Sequence, residues 1–167
     1  MNGKEIIDVI YGMNTGGKEK MFFLKTLTID LLDKEDVWDD IDNLREFFNK
    51  QLIVHFRNEG IMINIMEREL ALTTEEKGIL SEILAEHAVI IKEYEELNKF
   101  IEKYKNNPQD RHIRESVIDA AHKIFGLLPP HAAKEDKYLY PLAKEKLSDK
   151  HLKELEEKIA GYKFENK

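Results

Sequence analysis

The sequence predicts an all-α protein: an antiparallel, up-down-up-down four-helix bundle with a short extra helix at its C-terminus. Three observations lead there. Apolar residues recur at alternating three- and four-residue steps over four long segments. Strand signals are nearly absent, and no repeat period of the solenoid type appears. The connections between the segments are short, which favours antiparallel neighbours.

The elements follow in order. Residues 1–17 read as an N-terminal extension, in which "KEIIDVIYGM" supplies an extra helical turn packed on the outside. The bundle occupies residues 18–147. Its first helix runs from Lys18 to Leu32, after a break at "NTGG". The second runs from Asp36 to Leu70, with the stripe Ile41, Leu44, Phe48, Leu52, His55, Glu59, Met62, Met66. The third opens on a capping box, Thr73-x-x-Glu76, whose side chains satisfy exposed amides of the first turn. Its stripe is Leu80, Ile83, His87, Ile90, Tyr94, Leu97, Ile101, Tyr104, and "KNNPQD" ends it. The fourth spans Arg111 to Leu147, with the stripe Ile113, Val117, Ala120, Ile124, Leu128, His131, Glu135, Tyr138, Leu142. Pro129 and Pro130 each remove an amide donor, so a kink or a restart is expected there. Residues 148–167 form the extra helix, capped by Ser148 and carrying Leu152, Leu155 and Ile159.

Composition narrows the function classes. A chain of 167 residues suits one domain with a sizeable core. Apolar residues make up 42% and charged residues 35%, a globular rather than a disordered balance. With 33 acidic against 26 basic side chains the net charge is −7, and no basic stripe marks a nucleic-acid footprint. Cysteine is absent, which excludes disulfides, thiolate metal sites, iron–sulfur clusters and a cysteine nucleophile. The abundance of Glu and Lys suits a heat-tolerant protein. No apolar run approaches the ~20 residues that span a bilayer, and the N-terminus lacks an apolar segment with a small-residue cleavage site. The expected compartment is the cytoplasm, with no membrane partner. No Ser-centred elbow, His-Glu-x-x-His or Gly-rich phosphate loop supports a hydrolase.

The informative residues are polar ones on apolar stripes. Of six histidines, His55, His87 and His131 fall on the inward lines; His112, His122 and His151 fall off them. Residues at i and i+4 of a helix face the same way. His55 and Glu59 therefore face the core together, as do His131 and Glu135. A buried, isolated carboxylate costs several kcal/mol or more unless it is paired or binds a metal, and two converging carboxylates also repel. A cation removes both difficulties. Imidazole and carboxylate ligands without thiolates suit iron, zinc or manganese. A lone inward histidine is more often a hydrogen-bonded core residue than a ligand; two His-x-x-x-Glu pairs plus His87 favour the metal. Glu86 points off the stripe, as a solvent-facing residue or a partner of a ligand.

"HFRNE" on the second helix, "EH" in "LAEHAVI" on the third and "HAAKEDKYLYPLA" on the fourth resemble the hemerythrin-like family of His/Glu cation-binding domains. The resemblance covers residues 18 to 147. It implies a four-helix bundle holding a non-haem di-iron centre, with His55, His87 and His131 as terminal ligands and Glu59 and Glu135 as bridges. Some hemerythrins place the last carboxylate five residues after the histidine, where Asp136 stands, but Asp136 lies about 100° round the helix from Glu135. Two departures stand out. The first helix, "KEKMFFLKTLTIDLLD", has no histidine, and the third has isoleucines, Ile83 and Ile91, where oxygen carriers place a second one. Gly60 follows the helix-two glutamate, a position that is acidic in many members. Water, a small ligand, or Tyr94 or Tyr138 can fill the remaining coordination positions, and a single metal is an alternative to a pair.

The leading expectation is thus a metal-binding protein that binds or senses a small diatomic, such as oxygen or nitric oxide, or handles iron. Two other classes stay open. One is a weak di-iron peroxidase or ferroxidase. Ferritin-like oxidases use Glu-x-x-His twice, and the nearest match here is Asp119-Ala-Ala-His122, once and off the stripe. The other is an interaction bundle with a degenerate metal site, for which the sequence names no protein partner.

Overall fold

The computed structural model describes residues 5–11 and 38–165. The first bundle helix expected over residues 18–32 lies outside the described residues. Every regular element among those described is helical. They are α1 (residues 5–11), α2 (Trp38–Phe47), α3 (Ile53–Glu69), α4 (Thr74–Asn106), α5 (Arg111–Lys134), α6 (Tyr140–Lys146) and α7 (Asp149–Glu165). No described helix is long and apolar enough to cross a membrane.

Two π-helical turns interrupt otherwise continuous helices. Phe48–Leu52 joins α2 to α3, and Glu135–Leu139 joins α5 to α6. In each, a backbone amide donates to the carbonyl five residues back: Ile53 to Phe48, and Tyr140 to Glu135. Such a turn inserts one extra residue and rotates everything beyond it. The expected second and fourth helices are therefore each one rod carrying a π turn, and in the fourth the buried face shifts beyond it. Pro129 and Pro130 do not restart the helix; α5 runs through both.

Local signals explain the ends. Thr73 Oγ1 accepts from the Glu76 amide at 3.1 Å, and Glu76 Oε2 accepts from the Thr73 amide at 2.9 Å, the reciprocal box expected. Asp110 caps α5 by accepting from the amides of His112 and Ile113. Before α7, Ser148 donates its amide to His151 Nδ1 at 3.2 Å. That helix has 17 residues, within the 148–167 span expected for it.

Cross-helix pairs establish direction. Arg45 bonds Asn98 and Glu102, and Asn49 accepts from Tyr94, so α2–α3 ascends as α4 descends. Lys123 pairs with Glu93, Lys134 with Glu82, and Lys146 with Glu76, so α5–α6 is also antiparallel to α4. Two apolar clusters result. One joins α2, the start of α3, the C-terminal half of α4 and most of α5, around Phe48, Phe56, Tyr94 and Ile124. The other joins the end of α3, the start of α4, α6, α7 and α1, around Met62, Met66, Ile83 and Leu139. The isoleucines of α1 (Ile6, Ile7, Ile10) are buried in this second cluster, so α1 packs through them into a core.

Candidate metal centre

Between the two clusters lies one polar layer. Phe56 closes the first cluster on α3 and Met62 begins the second, and His55 and Glu59 sit at that border. On α4 the border falls between Ile83 and Ile90, at His87; on α5 and its π turn it falls between Leu128 and Leu139, at His131 and Glu135. All five side chains are buried, Glu59 at 0% and Glu135 at 1% exposure. Ligand atoms of Glu59, His87, His131 and Glu135 lie within 4.8 Å of one another, and His55 falls outside that tightest group.

The imidazoles reach the carboxylates through Nε2. His131 Nε2 is 2.6 Å from Glu135 Oε1, and His87 Nε2 is 3.2 Å from the same oxygen and 3.1 Å from Glu59 Oε2. His55 Nε2 is 3.0 Å from Glu59 Oε1 and 3.9 Å from Glu135 Oε2. Only the His87–Glu135 contact has hydrogen-bond geometry. His55 Nε2, His131 Nε2 and Glu59 Oε2 are buried without a hydrogen-bond partner among the described residues. Buried polar atoms left without a hydrogen bond call for another partner, such as water or an ion.

Electrostatics points the same way. Burial alone would lower the His55 pKa, but the carboxylates of Glu135 and Glu59 outweigh it and raise it to about 9. His87 is raised by the same contest. Burial would raise Glu135, yet His131, His55 and His87 hold its carboxyl far below the usual range. The histidines and the carboxylates thus stabilise each other's charged forms within the layer.

The rings are fixed from outside. His131 Nδ1 lies 2.7 Å from Glu86 Oε2, and Glu86 is in turn bound by Lys134, which also pairs with Glu82 at 2.5 Å. A carboxylate on the outer nitrogen orients a ligating imidazole and sets its tautomer. Burial opposes ionisation of Glu86, but Lys134 and His131 keep its carboxyl below the usual range. Phe56 stacks on the His87 ring at 4.1 Å and meets the His131 ring edge-on at 5.4 Å. By contrast, His55 Nδ1 has no hydrogen-bond partner among the described residues.

Tyr94 and Tyr138, the expected substitute ligands, are elsewhere. Tyr94 is buried in the first cluster, stacked on Phe48, and donates to Asn49 Oδ1 at 3.1 Å. Tyr138 is 37% exposed, with the Lys137 ammonium over its ring. Asp136 is half-buried and outside the converging group. The displacement of Tyr138 has a clear cause: the π turn rotates the chain past Glu135, so Leu139, Tyr140 and Ala143 face inward in place of Tyr138 and Leu142. Tyr140 is the residue that helical spacing missed. Its hydroxyl donates to Glu59 Oε1, and its ring meets Tyr11 edge-on at 5.0 Å. Pro141, just after it, is the sequence signal for the change, since a proline cannot donate to the carbonyl one turn back.

Three imidazoles and two carboxylates, with orphaned inward atoms and no thiolate, fit a borderline or hard divalent cation. Such a buried Glu/His/His/Glu group can hold a metal ion. In comparisons with known proteins, no protein-family model, no curated protein and no solved structure matches the chain.

Proposed function

We propose that this chain is a hemerythrin-like metal-binding protein, an antiparallel four-helix bundle that holds non-haem iron and binds or senses a small diatomic such as oxygen or nitric oxide. One observation carries the reading: four ligand atoms from three different helical segments meet within 4.8 Å in a layer closed by apolar clusters on both sides. Without a metal the two buried carboxylates lean on the neighbouring imidazoles, and inward atoms such as His131 Nε2 and Glu59 Oε2 stay without hydrogen bonds, whereas the same five residues on a cation are satisfied together.

In this reading His87, His131, Glu59 and Glu135 hold the ion, and His55 holds either the same ion or a second one beside it. Iron in such a donor set supplies open coordination and a reversible change of oxidation state. The chain's own residues do the rest. Glu86 and Phe56 orient the imidazoles. The flanking apolar side chains exclude bulk water, which favours a small neutral ligand over a hydrated ion.

Metal analysis after iron-replete expression, followed by anaerobic reconstitution and exposure to oxygen or nitric oxide, tests the proposal. The expected result is at least one iron per chain and a new charge-transfer band on adding the gas. Iron-loaded protein with no spectral response to oxygen, nitric oxide or peroxide removes the sensing role. Protein that takes up no metal returns the chain to an interaction bundle.

A further inference from the structure

We propose that Tyr140 is a positioning residue of this centre: its hydroxyl holds Glu59 Oε1 and thereby fixes the orientation in which Glu59 Oε2 faces His87. The inference rests on the metal-centre reading above and adds a residue that helical spacing alone keeps away from it. In an uninterrupted α-helix, position 140 stands about 140° round from position 135. The π turn, closed by the Tyr140 amide on the Glu135 carbonyl, brings the phenol back to the face that carries Glu135. One backbone irregularity thus places two side chains of the same segment at the layer.

The two oxygens of Glu59 have different surroundings. Oε1 accepts from the Tyr140 hydroxyl and lies 3.0 Å from His55 Nε2. Oε2 is buried with no hydrogen bond among the described residues and lies 3.1 Å from His87 Nε2, which is itself 3.2 Å from Glu135 Oε1. Glu135 differs: its Oε1 faces His131 and His87, its Oε2 faces His55, and no hydroxyl bonds it among the described residues. Tyr140 is itself 3% exposed and its ring is braced by Tyr11, so the hydroxyl cannot swing out to water. A buried phenol beside a carboxylate is a donor only, never a competing acceptor for that oxygen. With Oε1 held, the carboxylate plane is fixed and Glu59 is biased toward meeting an ion through Oε2. Without the hydroxyl, Glu59 is free to turn and offer both, which changes the coordination number of the ion.

Cobalt(II) titration separates this from a merely structural role. Tyr140→Phe keeps the ring and its packing, and Tyr138→Phe removes an exposed hydroxyl from the same segment as a control. The expected result is unchanged binding for Tyr138→Phe. For Tyr140→Phe, affinity falls by about 10- to 100-fold, the range for lost outer-sphere partners, and the visible cobalt bands weaken as coordination rises. Equal affinity and equal bands in wild type and Tyr140→Phe overturn the assignment while leaving the metal centre standing. A wild-type protein that binds neither cobalt, zinc nor iron sinks the metal centre and this inference with it. Should Tyr140→Phe fail to fold, the wild-type infrared difference spectrum on cobalt binding decides: a carboxylate bound through one oxygen is expected, and carboxylates that all bind through two overturn the proposal.

Discussion

The two His-x-x-x-Glu pairs share a spacing and a burial, but they are held differently. In the α5 pair, His131 is tied by its outer nitrogen to Glu86, and Glu86 is anchored by Lys134. Glu135 touches all three imidazoles. In the α3 pair, His55 has no partner on Nδ1 among the described residues, and the support falls on the carboxylate, through Tyr140. One half of the layer fixes its imidazole and the other fixes its acid. The difference teaches that equal spacing in sequence does not give equal preorganisation. The supporting residues come from other helices, and in the proposed centre they would decide which side chains are preorganised for a cation.

Substitutions that break this asymmetry rank in a definite order. Glu135→Gln has the largest effect: because Glu135 joins every imidazole, zinc affinity measured by competition with a chelator should fall by more than the ~100-fold upper range of outer-sphere changes. Next come the histidines. His131→Ala should lose markedly more affinity than His55→Ala, since His131 belongs to the tightest group and His55 does not; equal losses would show the two halves to be equivalent. Glu86→Gln should then cost about 10- to 100-fold, by releasing the His131 ring without removing a ligand. A Glu86→Gln protein that binds as wild type would remove the anchored-half description.

The smallest effect is a pH dependence with opposite signs in the two states. His55 is raised from 6.5 to about 9 and His87 is raised too, so their contribution to metal-free stability is complete below 6.5 and is lost as pH climbs through about 9. Glu135 is depressed from 4.5, so its contribution is present above 4.5 and fades as pH drops further. Chemical denaturation of the metal-free protein should therefore show a plateau between about 4.5 and 6.5 and a decline on the alkaline side. Metal affinity should instead rise across the same alkaline range, because each ligating imidazole must give up its proton. A metal-free protein that gains stability between pH 7 and 9 would contradict the assigned imidazolium–carboxylate contacts.

Much of this was legible in the sequence. All eight positions of the α4 stripe, from Leu80 to Tyr104, are buried as the periodicity predicts, and so are the eight from Ile41 to Met66. The five candidate ligands meet in one layer because a regular helix preserves its face over many turns. What was not legible traces to three local features. The π turn at Glu135–Leu139 shifts the face by one residue, so Tyr138 is exposed where Tyr140 is buried. Tyr94 lies about two turns along α4 from His87, where Phe48 and Asn49 engage it, and this keeps that phenol from the centre. And α1 is too short for periodicity to reveal a core role, although Ile7 and Ile10 are fully buried. Glu86 was expected as a solvent-facing residue or a partner of a ligand; that it pairs with His131 was out of reach, because contacts between helices leave no mark on spacing within one.

The most direct test of the central claim is an anomalous difference map at the iron absorption edge, from a crystal of protein grown in iron-replete medium. The account predicts a peak bounded by Glu59, His87, His131 and Glu135, within bonding distance of the imidazole Nε2 atoms. A map with no peak in that layer, or with the ion bound to surface carboxylates instead, would contradict it.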